Sequence, residues 1–270
     1  MKRIIIILSA IVLLAACQKE NRIQEPELST VTYSVTAPVE FEIKSAGEAS
    51  EINVLWYGVY HKKENGEFKY MNDMSAFVDV TDPSSIQVPI TLINNQVYRL
   101  VFVAQHKSAG EYVYNIGEDG VMTLNPDAEV TDGEQMDAFV YWEDTGVITQ
   151  GYNKEIKLSR PLAQINIGTT AAELPPSVSL TVSGVPKSYD IFNGQYAGEA
   201  TLNYTFDVPA GETIDVASTA YSRLASMYIF GGNKIDCTIS YKKADDTEVT
   251  HPITDVETET NYKTNIVGNI

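Results

Sequence analysis

The chain has 270 residues, a formal net charge of −17 and a pI near 4.5. That balance argues against nucleic acid, whose phosphates need a basic face, and against electrostatic binding to anionic lipid. A hydrophobic share of 44% permits a packed core and argues against wholesale disorder, while 3 His and 2 Cys leave little for a zinc site or a Cys–His nucleophile pair.

Lys2 and Arg3 precede an apolar run from Ile4 to Leu14, followed by Ala15, Ala16 and Cys17. This reads as a signal peptide, too short to span a bilayer as a helix. Leu14-Ala15-Ala16-Cys17 resembles a bacterial lipobox, in which the cysteine is diacylated on sulfur and becomes the new N-terminus. Residues 1–16 are then removed, and Cys17 is the lipidation site that holds the chain on the outer membrane. Each buried CH₂ of an acyl chain contributes about 0.8 kcal/mol to such anchoring. Residues 17–29 form a polar, lipid-anchored tether. Within it, Gln18-Lys19-Glu20-Asn21 either resembles a surface-export signal of Bacteroidetes lipoproteins or is a plain hydrophilic linker. With Cys17 acylated, Cys237 has no disulfide partner and reads as a small buried apolar residue in a strand.

From residue 30 onward the pattern is that of strands. Val31, Tyr33 and Val35 alternate with Thr and Ser. Ile52 to Tyr60 is continuously apolar, and Asn65-Gly66 predicts a hairpin to Phe68–Met71. Ile86 to Leu92 and Val97 to Ala104 follow, separated by Asn94-Asn95. Residues 117–137 are acidic and turn-rich and read as a long surface loop with one short helical turn. Ala138 to Trp142, Glu155 to Leu158 and Ala163 to Ile167 come next, then strands at Val178–Val182, Ala200–Val208, Ile214–Ala217, Met227–Phe230, Ile235–Tyr241, Glu248–Ile253 and Tyr262–Val267. No segment sustains a helical period. Many short strands in this length predict an all-β chain of two sandwich domains, residues 30–153 and 154–270.

Candidate chemistry is sparse. Arg160-Pro161 reads as a corner leading into the second domain, with an inter-domain ion pair or a nicking site as alternatives. Tyr141-Trp142-Glu143-Asp144 combines rings and carboxylates that could stack and hydrogen-bond a sugar, or it is a strand end running into an acidic turn. Asp119, Asp127, Glu129, Asp132 and Glu134 crowd one loop without the spacing of a calcium loop, and read as a solvated face. His61, His106 and His251 show no ligand spacing. Nucleotide-loop and serine-nucleophile signatures are missing. The chain is therefore read as non-enzymatic, with no cofactor and no metal.

Leu158-Ser159-Arg160-Pro161-Leu162-Ala163-Gln164-Ile165-Asn166-Ile167-Gly168-Thr169 resembles a recurring element of the Bacteroidales fimbrillins, lipoprotein-derived subunits of type V pili. Leu55-Trp56-Tyr57-Gly58-Val59-Tyr60, Tyr98 to Gln105, Asp137-Ala138-Phe139 and Asn261 to Asn269 agree in order. The resemblance implies two tandem transthyretin-like β-sandwiches and assembly by strand exchange. A protease cuts after a basic residue beyond the first strand, that strand leaves, and a donor strand of another subunit takes its place. Here the first strand would span about residues 29–43 and the basic residue is Lys44, where stalk subunits carry Arg. The alternative is that Lys44 is a solvated turn residue. No spare donor strand is seen after residues 262–267. The expected function is thus a structural and adhesive fimbrial subunit at a terminal position, tip or anchor. Its partners would be other pilus subunits, the outer membrane through Cys17, and a host glycan or protein receptor. The alternative is a stand-alone surface lipoprotein that binds glycan or host protein without polymerising.

Overall fold

The computed structural model describes residues 26–38, 51–243 and 245–269, and among these it is all β apart from two short 3-10 turns, Asn72–Met74 and Gly133–Met136. The first twelve strands are β1 (Leu28–Thr36), β2 (Val54–Lys62), β3 (Phe68–Tyr70), β4 (Ala76–Asp79), β5 (Ile86–Ile93), β6 (Tyr98–Gln105), β7 (Lys107–Ser108), β8 (Glu111–Tyr112), β9 (Tyr114–Ile116), β10 (Val121–Leu124), β11 (Ala138–Asp144) and β12 (Asn153–Lys157). The remaining ten are β13 (Leu162–Thr169), β14 (Ser177–Val185), β15 (Ser188–Asp190), β16 (Gln195–Ala197), β17 (Ala200–Asp207), β18 (Thr213–Val216), β19 (Thr219–Phe230), β20 (Lys234–Lys242), β21 (Glu248–Glu257) and β22 (Lys263–Gly268).

Two sheets enclose the first core. One has the order β12-β1-β5; the other has β11-β6-β2-β3, with β4 also paired to β2. Strict alternation explains the first sheet: Val31, Tyr33 and Val35 on β1 and Ile86, Val88, Ile90 and Leu92 on β5 point inward. The second sheet is covered on both faces, which is why β2 and β6 read as unbroken apolar runs. Leu55, Val59, Leu100 and Phe102 face the first core, whereas Trp56, Tyr60, Val101 and Val103 belong to a second core.

That second core continues between the sheets β18-β19-β13-β22 and β17-β14-β20-β21. A further four-stranded sheet, β16-β15-β10-β9, takes two strands from each half of the chain. Its joint is β10 to β15, antiparallel, with Met122 opposite Tyr189. Residues 117–137 are not one continuous surface loop: Val121–Leu124 is a sheet strand with Met122 fully buried, whereas residues 117–119 and 126–132 are largely exposed turns and loop, and the expected helical turn stands at Gly133–Met136. The turn rests directly on β19, since a Cβ on Gly133 would meet the Ser226 carbonyl oxygen at 1.6 Å. The expected division at 153/154 coincides with the start of β12, which pairs with β1. Ile156 and Leu158 lie in the first core, so the chain leaves that core only after Leu158.

Candidate strand-exchange site

The first strand occupies the middle of its sheet. β1 pairs in antiparallel register with β5 from Leu28↔Ile93 to Val35↔Ile86, and in parallel with β12 from Thr32↔Asn153 to Thr36↔Lys157. From Thr30 to Thr36 serine and threonine fill the outward positions, while Val31, Tyr33, Val35 and the following Ala37 are fully buried. Each such apolar side chain contributes about 1.5–3 kcal/mol by leaving water. Gly151 lets the returning chain lie against the strand: a Cβ there would meet the Thr30 carbonyl oxygen at 2.4 Å.

Tyr33 is the anchor. Its ring lies 4.9 Å from that of Phe102, and its hydroxyl donates to Glu143 Oε1 at 2.6 Å and contacts the Tyr152 hydroxyl at 3.1 Å. Glu143 also accepts from Tyr141 at 2.9 Å and from Lys154. Burial pushes the Glu143 carboxyl up, but the hydrogen bonds from Lys154, Tyr33 and Tyr141 outweigh it and hold it below the usual glutamate range. Burial, with the hydrogen bond to Glu143 next, pushes the Tyr33 phenol far above its ordinary value. β1 is thus held by two ladders, an apolar stripe and one buried hydroxyl. Its removal would leave facing backbone edges on β5 and β12, a trench floored by Phe102, and Glu143 short of a donor.

The other sequence candidates are dispersed. Cys17 and Lys44 lie outside the described residues. Arg160-Pro161 stands at the corner leading into β13, as expected, and Arg160 makes the ion pair given as an alternative: its guanidinium donates to both Asp137 oxygens at 2.7 and 2.9 Å, with the two side chains 1% and 2% exposed. It also donates to Asn261 at 3.0 Å and lies 4.5 Å from the Phe139 ring. Residues of three sequence motifs therefore meet in one buried joint. The Tyr141–Asp144 cluster splits up. Trp142 and Asp144 both engage Arg99, by ring contact at 4.6 Å and an ion pair at 2.6 Å, while Tyr141 and Glu143 turn toward Tyr33.

The loop carboxylates also go separate ways. Asp119 and Asp132 cap their own turns, and Glu134 accepts from Gln164, Ser226 and Tyr228. Among the described residues no group of three or more His, Cys, Asp or Glu is placed to hold a metal ion. His61 contacts Gln96 at 2.7 Å and His106 the Glu51 carbonyl at 2.6 Å. Cys237 is a free, buried thiol in β20, pushed up to about 11 by burial. Tyr33 was visible in sequence as part of an alternating strand, but its partner Glu143 lies 110 positions away and left no local signal.

The chain belongs to a family of unknown function (DUF6562), whose model matches residues 24–270. A second model, for a prokaryotic membrane lipoprotein lipid attachment site, matches residues 1–18. The DUF6562 chain shares its fold with solved proteins of Bacteroides thetaiotaomicron. One is a candidate polysaccharide-binding protein of Bacteroides thetaiotaomicron, at TM-score 0.52 and 11% identity over 88% of this chain and 90% of that one. Another is a candidate adhesin of the same organism, at TM-score 0.51 and 12% identity over 85% and 81%. The fimbrial anchor protein Mfa2 of Porphyromonas gingivalis aligns at TM-score 0.47 and 18% identity over 84% and 82%. No curated protein matches the sequence significantly.

Proposed function

We propose that this chain is a non-enzymatic, lipid-anchored adhesive subunit of a fimbria-like structure on the outer membrane, which accepts a strand of another subunit in place of β1. The observation that carries the reading is the central position of β1: it is the middle strand of three, with its inward side chains fully buried. A strand taken from that place leaves a site that only another strand fills, by ladder hydrogen bonds and alternate side chains. The lipid attachment site at residues 1–18 supports the anchoring. β22 is committed to its own sheet through six pairs with β13, so β22 itself is not a free strand. Lys44 is the proposed cleavage point and Cys17 the acylated residue.

The test is strand uptake. The purified chain is cut after Lys44 with a lysine-specific protease and incubated with a labelled peptide of residues 28–37. Uptake of label that survives electrophoresis without boiling, by cut but not by uncut protein, is expected. A cut chain that keeps its own β1 and takes no label sinks the strand-exchange reading.

A further inference from the structure

The end of the first sandwich where β1 begins differs from the rest of this acidic molecule. β1 starts at Leu28 and finishes beside Leu158, whose amide donates to the Thr36 carbonyl at 2.9 Å just before the chain turns into β13. Leu28 therefore lies at the end away from the joint at Arg160. Two loops close this end around it. The Asn94 amide donates to the Glu27 carbonyl at 2.8 Å, the Asn95 amide to the Ile148 carbonyl at 2.7 Å, and the Ile148 amide to the Gln96 carbonyl at 2.9 Å. Residues 26–28, 93–97 and 145–150 thus form one surface.

Five large apolar side chains are exposed among the described residues. The two most exposed, Leu28 at 60% and Val147 at 58%, both stand on this surface. Leu28 takes an outward position of the kind that threonine and serine fill further along β1. Val147 turns outward beside Ile148, which is buried. Around them, residues 93–97 and 145–153 carry no charged side chain, in a chain of net charge −17. Glu27 adds one acid at the strand start. The adjoining hairpin is tied on by the Lys62 amide, which donates to the Val97 carbonyl at 2.9 Å. It sets Lys62 and Lys63 against Glu64 and Glu67, so its charges cancel. The surface is apolar and neutral rather than basic.

Single exposed aliphatic side chains are ordinary on a soluble surface. What selects an occupant here is the chain outside the described residues. These begin at Pro26, nine residues after Cys17, and the lipid attachment model matches residues 1–18. Nine residues reach at most about 30 Å when fully extended. Acyl chains on Cys17 therefore hold the Leu28 end close to a bilayer. A short link of this kind gives an effective concentration on the order of millimolar, so a contact too weak to bind free protein can seat a tethered one. The far end is different: β13 leaves the joint at Leu162 and ends at Thr169, so Leu174, 38% exposed, lies in the link to β14 at the opposite end.

We infer that the Leu28 end of the first sandwich rests on the lipid bilayer, with Leu28 and Val147 entering the boundary between headgroups and acyl chains, so that the β13–β14 link points away from the membrane. The inference rests on the lipid-anchored reading and concerns the uncut chain, so it is independent of strand exchange. Mass spectrometry of the detergent-extracted chain first reads acylation of Cys17; an unmodified Cys17 overturns the anchored reading and this inference together. The acylated chain is then reconstituted into phosphatidylcholine vesicles containing a nitroxide-labelled phosphatidylcholine. A polarity-sensitive fluorophore is placed in turn on Val147→Cys, Thr149→Cys and Leu174→Cys. Cys237 is fully buried and Cys17 is blocked by its acyl chains, so each variant carries a single label. Quenching by the nitroxide lipid at least twofold stronger at positions 147 and 149 than at position 174 is expected. Leu28→Glu should lower quenching of the label on Thr149→Cys at least twofold, with unchanged melting. Should Leu28→Glu lower the melting temperature, Leu28→Ser, which matches the neighbouring outward positions, decides in its place. With Cys17 acylated, equal quenching at the three positions, or quenching unmoved by the Leu28 variants, overturns the inference alone. A blue-shifted label on Val147→Cys without lipid quenching also overturns it and gives this end to a second copy of the chain.

Discussion

β1 and β22 each run parallel to a neighbouring strand, β12 and β13, yet they are held in different ways. β1 has a partner on both sides, and its inward side chains are fully buried. β22 lies at the rim of its sheet, and its Thr264 and Ile266 are only partly buried. A strand withdrawn from the rim leaves one more rim. A strand withdrawn from the middle leaves two facing rows of unpaired amides and carbonyls above an apolar trench, a state costly enough to drive its own repair.

The contrast can be broken at several strengths. Both regions depend on the joint at Arg160, so Arg160→Ala should have the largest effect. It leaves Asp137 buried and unpaired and should cost about 3–5 kcal/mol, read as a lowered urea midpoint with one cooperative transition. Tyr33→Ala should cost about 3–5 kcal/mol, as large-to-small core changes of aromatic residues do. Ile266→Ala on β22 should cost about 1 kcal/mol, below the core range because the site is half open. Equal losses at Tyr33 and Ile266 in denaturant unfolding would erase the distinction between middle and rim.

Tyr33→Phe sharpens the point, since it keeps the ring and removes only the hydroxyl, which donates to Glu143 and contacts Tyr152. A loss of about 1.5–3 kcal/mol is expected, as for hydrogen bonds to charged groups. Acidity should act through the same carboxylate. Glu143 titrates lower folded than unfolded, so its contribution is complete above its ordinary value of 4.5 and lost as pH falls through the folded value. Melting temperature followed downward from pH 6 should therefore fall less steeply in Glu143→Gln than in the parent. The smallest effect belongs to Lys154→Met. Its side chain is 42% exposed, and loss of such a pair should cost about 0.2–1 kcal/mol.

Much of this arrangement could be read from residue order. The alternation at β1 and β5, the double-faced runs at β2 and β6 and the turn at Asn65-Gly66 are local signals, and the structure follows them. What local pattern could not supply is partnership. β10, β15 and β16 are three or four residues long and become strands only because they find one another across the chain. β19 was expected only over its apolar end, Met227–Phe230, but it begins at Thr219, because its polar start pairs with β18 instead of filling a core. Arg160 and Asp137 were each visible within a motif, but their meeting across 23 positions needed the fold.

The β10–β15 ladder has a mechanical consequence. A pull applied between the two ends of the molecule does not run only through the covalent link between β12 and β13. It is shared by antiparallel pairs from Val121↔Asp190 to Thr123↔Ser188 and by the buried Arg160–Asp137 clamp. The two halves should therefore resist hinge-like swinging under drag and carry tension together, until this short ladder yields.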